Sequence, residues 1–384
     1  MTDESNAGAT TTQPAVEPDG LLSDLTPIEA EDPTGPEPGA GVGRRLWLGT
    51  SRYRPVLVLT VAMFIFASID QSQFLTNENI QNLLTAVAGM WIIAMGQTFC
   101  VLTGSADLSS GAIAAVISVM LAKTAGLPTG LAVALALIAG TAFGAIANGL
   151  LIGRFRLSFF VVTLATGTAL GGIVTLWSGG DSFLYNKSLV NYLSIGRHLG
   201  VAGPIWLMAI VFVLALYIER KTYFGRNLFA VGGSLSAARL SGIRTDRTLV
   251  YVFGVSGFAA ALAGIVETGL VGSVNPVVDP SIALTAIAAV LLGGTSLYGG
   301  AGSVVGTAFG VLFIGVLDNA LNLAGVQTAW QSVVTGVILI AAVAAVPGAG
   351  LGRRSLGATL IRKIRPQDAQ ADTTEPPTAG TLSK

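Results

Sequence analysis

Apolar residues occupy the middle of the chain in long blocks separated by short polar clusters, and these blocks set the expected elements. Ten can be marked, at 54–69, 83–103, 109–126, 128–152, 158–178, 204–218, 248–271, 283–300, 302–321 and 327–347. Most approach the roughly 20 residues that a helix needs to cross a hydrocarbon core of about 30 Å. The pattern predicts an all-α polytopic membrane protein with about ten transmembrane helices. The first and sixth blocks are short, and glycines interrupt the eighth and ninth.

The basic residues predict which way the helices run, because Lys and Arg are retained on the cytoplasmic side. With the N-terminus inside, 18 of the 21 Lys and Arg residues fall on that side, and only Lys123, Lys187 and Arg197 lie outside. An even number of spans then returns the C-terminus to the cytoplasm. The longest cytoplasmic loop is Glu219 to Thr248, and the longest outward one, Gly179 to Gly200, mixes aromatic and polar residues as an interfacial segment would.

Composition separates this body, residues 44–350, from two ends. The formal net charge is zero, yet nine of the 21 acidic residues lie in residues 1–43, where no Lys or Arg occurs. That segment, rich in Pro, Gly, Thr, Asp and Glu, reads as a disordered acidic cytoplasmic tail. It is not a signal peptide, since the first apolar block begins beyond residue 50. Residues 351–384 read as a basic and then disordered cytoplasmic tail. Cys100 is the single cysteine, so no internal disulfide is expected, nor a cysteine-based metal site. No metal, cofactor or nucleic-acid partner is expected.

The pentapeptide GTAFG occurs at Gly140–Gly144 and again at Gly306–Gly310, in the fourth and ninth blocks. These run in opposite directions, as an inverted repeat of spans two to five in spans seven to ten requires. Five letters from a small-residue alphabet also recur by chance. Gly167 and Gly171 add a third GxxxG, and close helix packing is the favoured reading of all three.

Candidate chemistry is sparse. No GxxxxGK[ST] phosphate loop is present, so hydrolysis of ATP by this chain is not expected. GVSG at Gly254–Gly257 has the GxSG form of intramembrane serine proteases, but the only histidine, His198, lies in the outward loop. Ser256 is expected near the cytoplasmic end of its span, far from that base. Asp107, Glu267 and Asp318 are carboxylates within or beside spans, where ionisable groups are costly and often functional. Asp107 is expected near the interface, either in a functional role or capping the helix from Leu108. No buried Lys, Arg or His in the spans is expected to pair with these acids, which weighs against an ion-coupled secondary carrier. Phe224 to Ile243 is polar, opens on a glycine-rich bend, and ends in SLSAARLS. The latter is predicted to form two helical turns capped by Ser234 or Ser236 and stopped by Gly242.

These stretches resemble a family. The chain is similar, over roughly residues 80–345, to permease subunits of ribose-type sugar ABC importers, in the branched-chain amino acid and sugar permease group. The likeness rests on TGSADLSSGAIAAV (Thr103–Val116, holding Asp107 and Gly111), NGLLIGRFRLSFFVVTLAT (Asn148–Thr166) and TYFGRNLFAVGGSLSAARLSGI (Thr222–Ile243). It continues in AIAAVLLGGTSLYGGAGSVVGT (Ala286–Thr307, holding Gly293 and Gly294) and GVLDNALNLAGV (Gly315–Val326).

The resemblance implies that Ser236, Ala237, Ala238, Arg239, Leu240, Ser241 and Gly242 form a coupling helix docking on a separate cytoplasmic ATPase. It also implies a second permease copy, an extracytoplasmic sugar-binding protein, and a multi-pass location in the bacterial inner membrane. Asn148, Thr163, Thr166, Asn275, Asp318 and Asn319 are the residues expected along the pathway, with polar packing the alternative for each. Two departures stand out. Ala283, Leu284 and Thr285 replace the acidic pair of the family pattern ELDAIAA, and Arg154–Ser158 (RFRLS) lacks the proline often found there. The implied substrate class is a sugar or sugar-like solute, and an exporter of the same build is an alternative.

Overall fold

The computed structural model describes residues 54–345, and both tails lie outside them. Fourteen helices occur in this region. They are α1 (Arg54–Asp70), α2 (Asn77–Ala86), α3 (Ala88–Leu102), α4 (Ser110–Lys123), α5 (Thr129–Ala142), α6 (Phe159–Ser178) and α7 (Ser188–Ser194). The others are α8 (Gly203–Lys221), α9 (Tyr223–Gly233), α10 (Leu235–Leu240), α11 (Thr245–Val271), α12 (Pro280–Leu292), α13 (Val304–Leu323) and α14 (Thr328–Ala345). The helix of α5 continues as a π-helical stretch over Phe143–Leu150 and ends at Gly153. Five helices are long and apolar enough to span a membrane, or six if the bent pair α2–α3 counts as one. The chain is a multi-pass, mainly helical membrane protein.

Four expected elements change shape. The second is not one straight helix: it starts earlier, at Asn77, and bends by 46° between α2 and α3. The polar face of α2 (Asn77, Glu78, Gln81) and the almost wholly buried α3 have different surroundings, and Val87 serves both as C-cap of one and N-cap of the other. The eighth is half helix: α12 stops at Leu292, and Gly294, Gly299 and Gly300 take positive φ in the turns that follow. At 1.5 Å per residue α12 and α4 are each about 20 Å long, too short to cross alone. Each follows a non-helical stretch, 103–109 before α4 and 272–279 before α12. Finally, the glycine-rich bend expected at Phe224 is the helix α9.

Burial sorts the helices into inner and outer. In α11 and α13 the most apolar stretches are 72% and 67% buried, against 22% in both α5 and α6. α11 is therefore the central strut, packing on α3, α4 and α5. α3 in turn packs on α12, and α12 on α13. Both GTAFG copies serve close helix packing. A Cβ on Gly144 of α5 would meet the Cα of Gly257 on α11 at 3.0 Å, and one on Gly310 of α13 would meet the nitrogen of Gly293 at 3.2 Å. The Gly167–Gly171 pair differs, because it faces the non-helical stretches at Ser109 and Val278 rather than another helix.

Two short antiparallel ladders fasten one end. β1 (Phe183–Leu184) pairs with β4 (Ser273–Val274), aligning Phe183 with Val274, and β2 (Arg197–His198) pairs with β3 (Val201–Ala202). Lys123 lies 4.5 Å over the Phe183 ring, tying the end of α4 to the first ladder.

Polar pairs fix the helix register inside. Thr98 of α3 and Thr307 of α13 share a buried hydrogen bond of 2.8 Å. The carboxylate of Glu219, 8% exposed, accepts the Val304 backbone N–H at 2.8 Å and so caps the start of α13 from α8. Glu219→Ala should cost about 1–2 kcal/mol, the usual value of a lost N-terminal cap. Denaturant titration of the purified chain checks this, and an unchanged midpoint would show that the bond contributes nothing.

Candidate functional site

Two features qualify as functional: the polar segment between α8 and α11, and a buried polar cluster around Asp107. They are linked physically. The segment folds as two helices because each has its own cap. Thr222 accepts the Gly225 N–H at 3.0 Å at the start of α9, and Ser234 accepts the Ala237 N–H at 3.3 Å at the start of α10. Of the two expected caps Ser234 is used, with the Ser236 hydroxyl 3.1 Å away from its own. Gly242, at φ 81°, ends α10 as expected.

On α10 the residues divide cleanly. Ala238 is 4% exposed and faces inward, whereas Leu240 is 90% exposed and Leu235 40%. Ser236, Ala237 and Ser241 are also exposed. The guanidinium of Arg239 donates to Thr245 at 2.8 Å and pairs with Asp246 at 3.2 Å, bracing α10 against the first turn of α11. Arg239 is thus a brace, and Leu240 the free apolar knob.

The other end of the segment is wedged into the bundle. Gly232 of α9 sits against the Leu102 carbonyl and the Gly300 nitrogen, which are themselves hydrogen-bonded at 2.9 Å. Gly299, at φ 82°, lies against Gly104 and Gly232, leaving 3.0 Å or less for any added Cβ. So α9 touches at one point both the turn after α3 and the turn after α12.

From Gly104 the chain runs inward to Asp107, which is 0% exposed. Its Oδ1 accepts from Ser109 N (3.0 Å), Ser109 Oγ (2.6 Å) and Asn148 Nδ2 (3.3 Å), and its Oδ2 accepts from Ser256 Oγ (2.7 Å). Gln97 of α3 holds the Asp107 backbone from both sides, accepting its N–H at 3.1 Å and donating to its carbonyl. The helix itself starts only at Ser110, so Asp107 folds the turn before it rather than capping a helix from Leu108. Ser256 lies about 16 Å along α11 from its first residue, inside the helix rather than near that end. All of the donors to this carboxylate are neutral, and four helices converge on it.

Gln97 and Ser256 were not foreseeable partners. A lone amide in an apolar block is a visible signal, but its target is not. Asn148, expected on the pathway, belongs to this cluster, from the π-helical turn of α5 where the widened helix admits it. Gly111 is needed for close approach: a Cβ there would meet the Asp279 carbonyl at 2.9 Å, so α4 and α12 begin beside one another. Gly293 packs against Gly306, and Gly294 turns the chain at φ 85°.

The other expected pathway residues separate into two places. Thr163, buried, and Thr166, half-buried, lie on α6, whose Gly167 and Gly171 face Ser109 and Val278; Asn275 is exposed in the stretch holding Val278. On α13, Asn319 exchanges two 3.0 Å hydrogen bonds with Asn79, and Asp318 accepts from Thr335 at 3.2 Å. Among the described residues no group of three or more His, Cys, Asp or Glu could hold a metal ion.

Comparison with known proteins places the chain in a family. Residues 79–343 match the family model described as branched-chain amino acid transport system / permease component. The ribose import permease protein RbsC of Escherichia coli (strain K12) is 37% identical over 305 residues, covering 78% of this chain and 94% of that protein. RbsC of Bacillus subtilis (strain 168) is 41% identical over 294 residues, covering 75% and 90%. The L-arabinose ABC transporter permease protein AraH of Azospirillum brasilense is 34% identical over 317 residues, covering 81% and 93%. No solved structure matches. With the family match spanning most of the chain, and a capped polar segment wedged between two helix breaks, the protein belongs to the family of branched-chain amino acid transport system permease components.

Proposed function

We propose that this chain is the membrane-spanning permease subunit of an ATP-driven ABC importer, and that its solute is a monosaccharide or sugar-like molecule. Relatives named for ribose, D-allose and L-arabinose support the solute class. The solute need not be theirs, because Ala283, buried, and Thr285, half-buried, stand where the family pattern ELDAIAA has acids. Residues 44–350 form the permease domain, with ten spans and both termini cytoplasmic in the bacterial inner membrane. The half-length α4 and α12, each completed by a non-helical stretch, support the inverted repeat of spans two to five in seven to ten. So does the exchange of packing partners, α3 on α12 and α11 on α4.

The observation that carries the reading is Leu240, 90% exposed on a helix whose other side is held by buried Ala238 and by the Arg239–Asp246 pair. Residues 219–248 are the coupling segment, and residues 236–242 meet a separate cytoplasmic ATPase, which does the hydrolysis. A second permease copy and an extracytoplasmic sugar-binding protein complete the assembly. ATP-driven movement of the ATPases acts through α9 on the turns after α3 and α12, and alternating access follows from which state the partners bind better. Thr163, Thr166 and Asn275 contribute to the pathway beside α6; Asp318 and Asn319 serve it from α13.

Leu240→Asp should weaken association with the ATPase at least about tenfold, the effect of removing an apolar anchor from an interface. Because Leu240 makes so little contact within the chain, thermal stability should stay at the wild-type value. Co-purification and a melting curve test both. A variant that retains its ATPase in full would rule out this docking site. Transport in ATP-free vesicles under an ion gradient would instead favour the secondary carrier.

A further inference from the structure

A cavity of about 750 Å³ opens between α3, α5, α8 and α11, and its lining is apolar throughout. Ile92, Phe99, Val211, Ile218, Val255 and Leu262 supply most of its walls. The volume falls within the range of about 300–1,000 Å³ typical of small-ligand sites. The one threonine in the wall, Thr141, donates its hydroxyl to the Leu137 carbonyl at 2.7 Å, so it too offers only hydrocarbon. A sugar here would leave its hydroxyls without partners. The cavity is therefore not the solute pathway.

Its length and its end identify a different occupant. Along α11 the lining runs from Val250 to Leu262, about 18 Å, close to one leaflet of a hydrocarbon core about 30 Å thick. Beyond the Val250 end the same helix faces carry cations. Arg247 precedes Val250 and Tyr251 by one turn on α11, and Lys221 follows Ile218 by one turn on α8. Arg226, two residues after the lining residue Phe224, lies 4.3 Å over the Tyr223 ring. All three cations are exposed, and among the described residues none has an acidic partner within salt-bridge distance. The nearby acids are engaged elsewhere, Asp246 with Arg239 and Glu219 with the Val304 N–H.

We propose that this groove is a binding site for an anionic phospholipid, one acyl chain lying between α5, α8 and α11 and the phosphate meeting Lys221, Arg226 and Arg247. An apolar slot one leaflet deep that ends in three cations without acidic partners favours a headgroup of net negative charge, because the phosphate of a zwitterionic lipid brings its own ammonium to the same three cations. Since Phe224 of α9 closes the cationic end, the lipid fastens the polar segment to the bundle. The site rests on the chain being a membrane protein and is independent of the solute it carries.

Native mass spectrometry of the full chain, delipidated and then offered phosphatidylglycerol and phosphatidylcholine at equal concentration, tests this. The wild type should retain phosphatidylglycerol at least tenfold over phosphatidylcholine, and gain thermal stability from it alone. A triple variant, Lys221→Gln, Arg226→Gln and Arg247→Gln, alters only exposed side chains and should lose the preference. Leu214→Trp, which narrows the groove from an exposed position, should lower retention of both lipids. Equal retention by the wild type, or an undiminished preference in the triple variant, would overturn the proposal. So would a cross-link from Val211→Cys to a second copy or to residues 346–384 in lipid-replete membranes.

Discussion

Gly232→Val is expected to reduce solute uptake by about tenfold or more while the ATPase partner stays bound. A side chain at Gly232 must displace the Leu102 carbonyl, the Gly300 nitrogen or both, and those two groups are bonded to each other. Overfilling a close contact typically costs 1–3 kcal/mol, here applied at the single point where α9 touches both turns. The exposed face of α10 is untouched, so docking should survive and only transmission should fail. Gly233 provides the control: nothing lies within 4 Å of a Cβ built there, and Gly233→Ala should transport like the wild type. Uptake into proteoliposomes containing the assembled complex, measured with ATP hydrolysis, separates the outcomes. Normal uptake by Gly232→Val would mean that motion does not pass through this contact.

Asp107→Ala should destabilise the purified chain by about 3 kcal/mol. The substitution strips the acceptor from Ser109 N, Ser109 Oγ, Asn148 Nδ2 and Ser256 Oγ, all fully or nearly buried. A buried donor left without a partner costs about 1–3 kcal/mol. Serine hydroxyls can turn to helix carbonyls, so the four losses do not add. Asp107→Asn keeps one acceptor oxygen and should cost roughly half as much. Denaturant titration of the three proteins in the same detergent gives the order. Equal midpoints would show that the cluster does not hold the four helices together.

The cluster also shows why part of the site was legible and part was not. The capped α10, its stop at Gly242 and its amphipathic split follow from neighbouring residues, since capping and turn chemistry are local. α9 was misread as a bend because Gly225, Gly232 and Gly233 favour one locally. Gly225 and Gly232 are instead glycines because other backbone lies against them, Gly225 at the Glu219 carbonyl and Gly232 at Leu102. Ser256 looked like a protease serine by pattern and proves to be a hydrogen-bond donor to Asp107, 149 residues away in the chain.

The sequence by itself determined that the chain enters a membrane many times and where a short capped helix interrupts the apolar body. Hydropathy and capping act over a few residues, so they are readable along the chain. Only the tertiary structure decided that α4 and α12 are half-length, that α2 bends from α3, and that Asp107, Gln97, Asn148 and Ser256 meet. An apolar run has the same composition whether helical or broken. Which it becomes depends on whether neighbouring helices cover the freed backbone groups, and that is settled by packing between residues far apart in the chain.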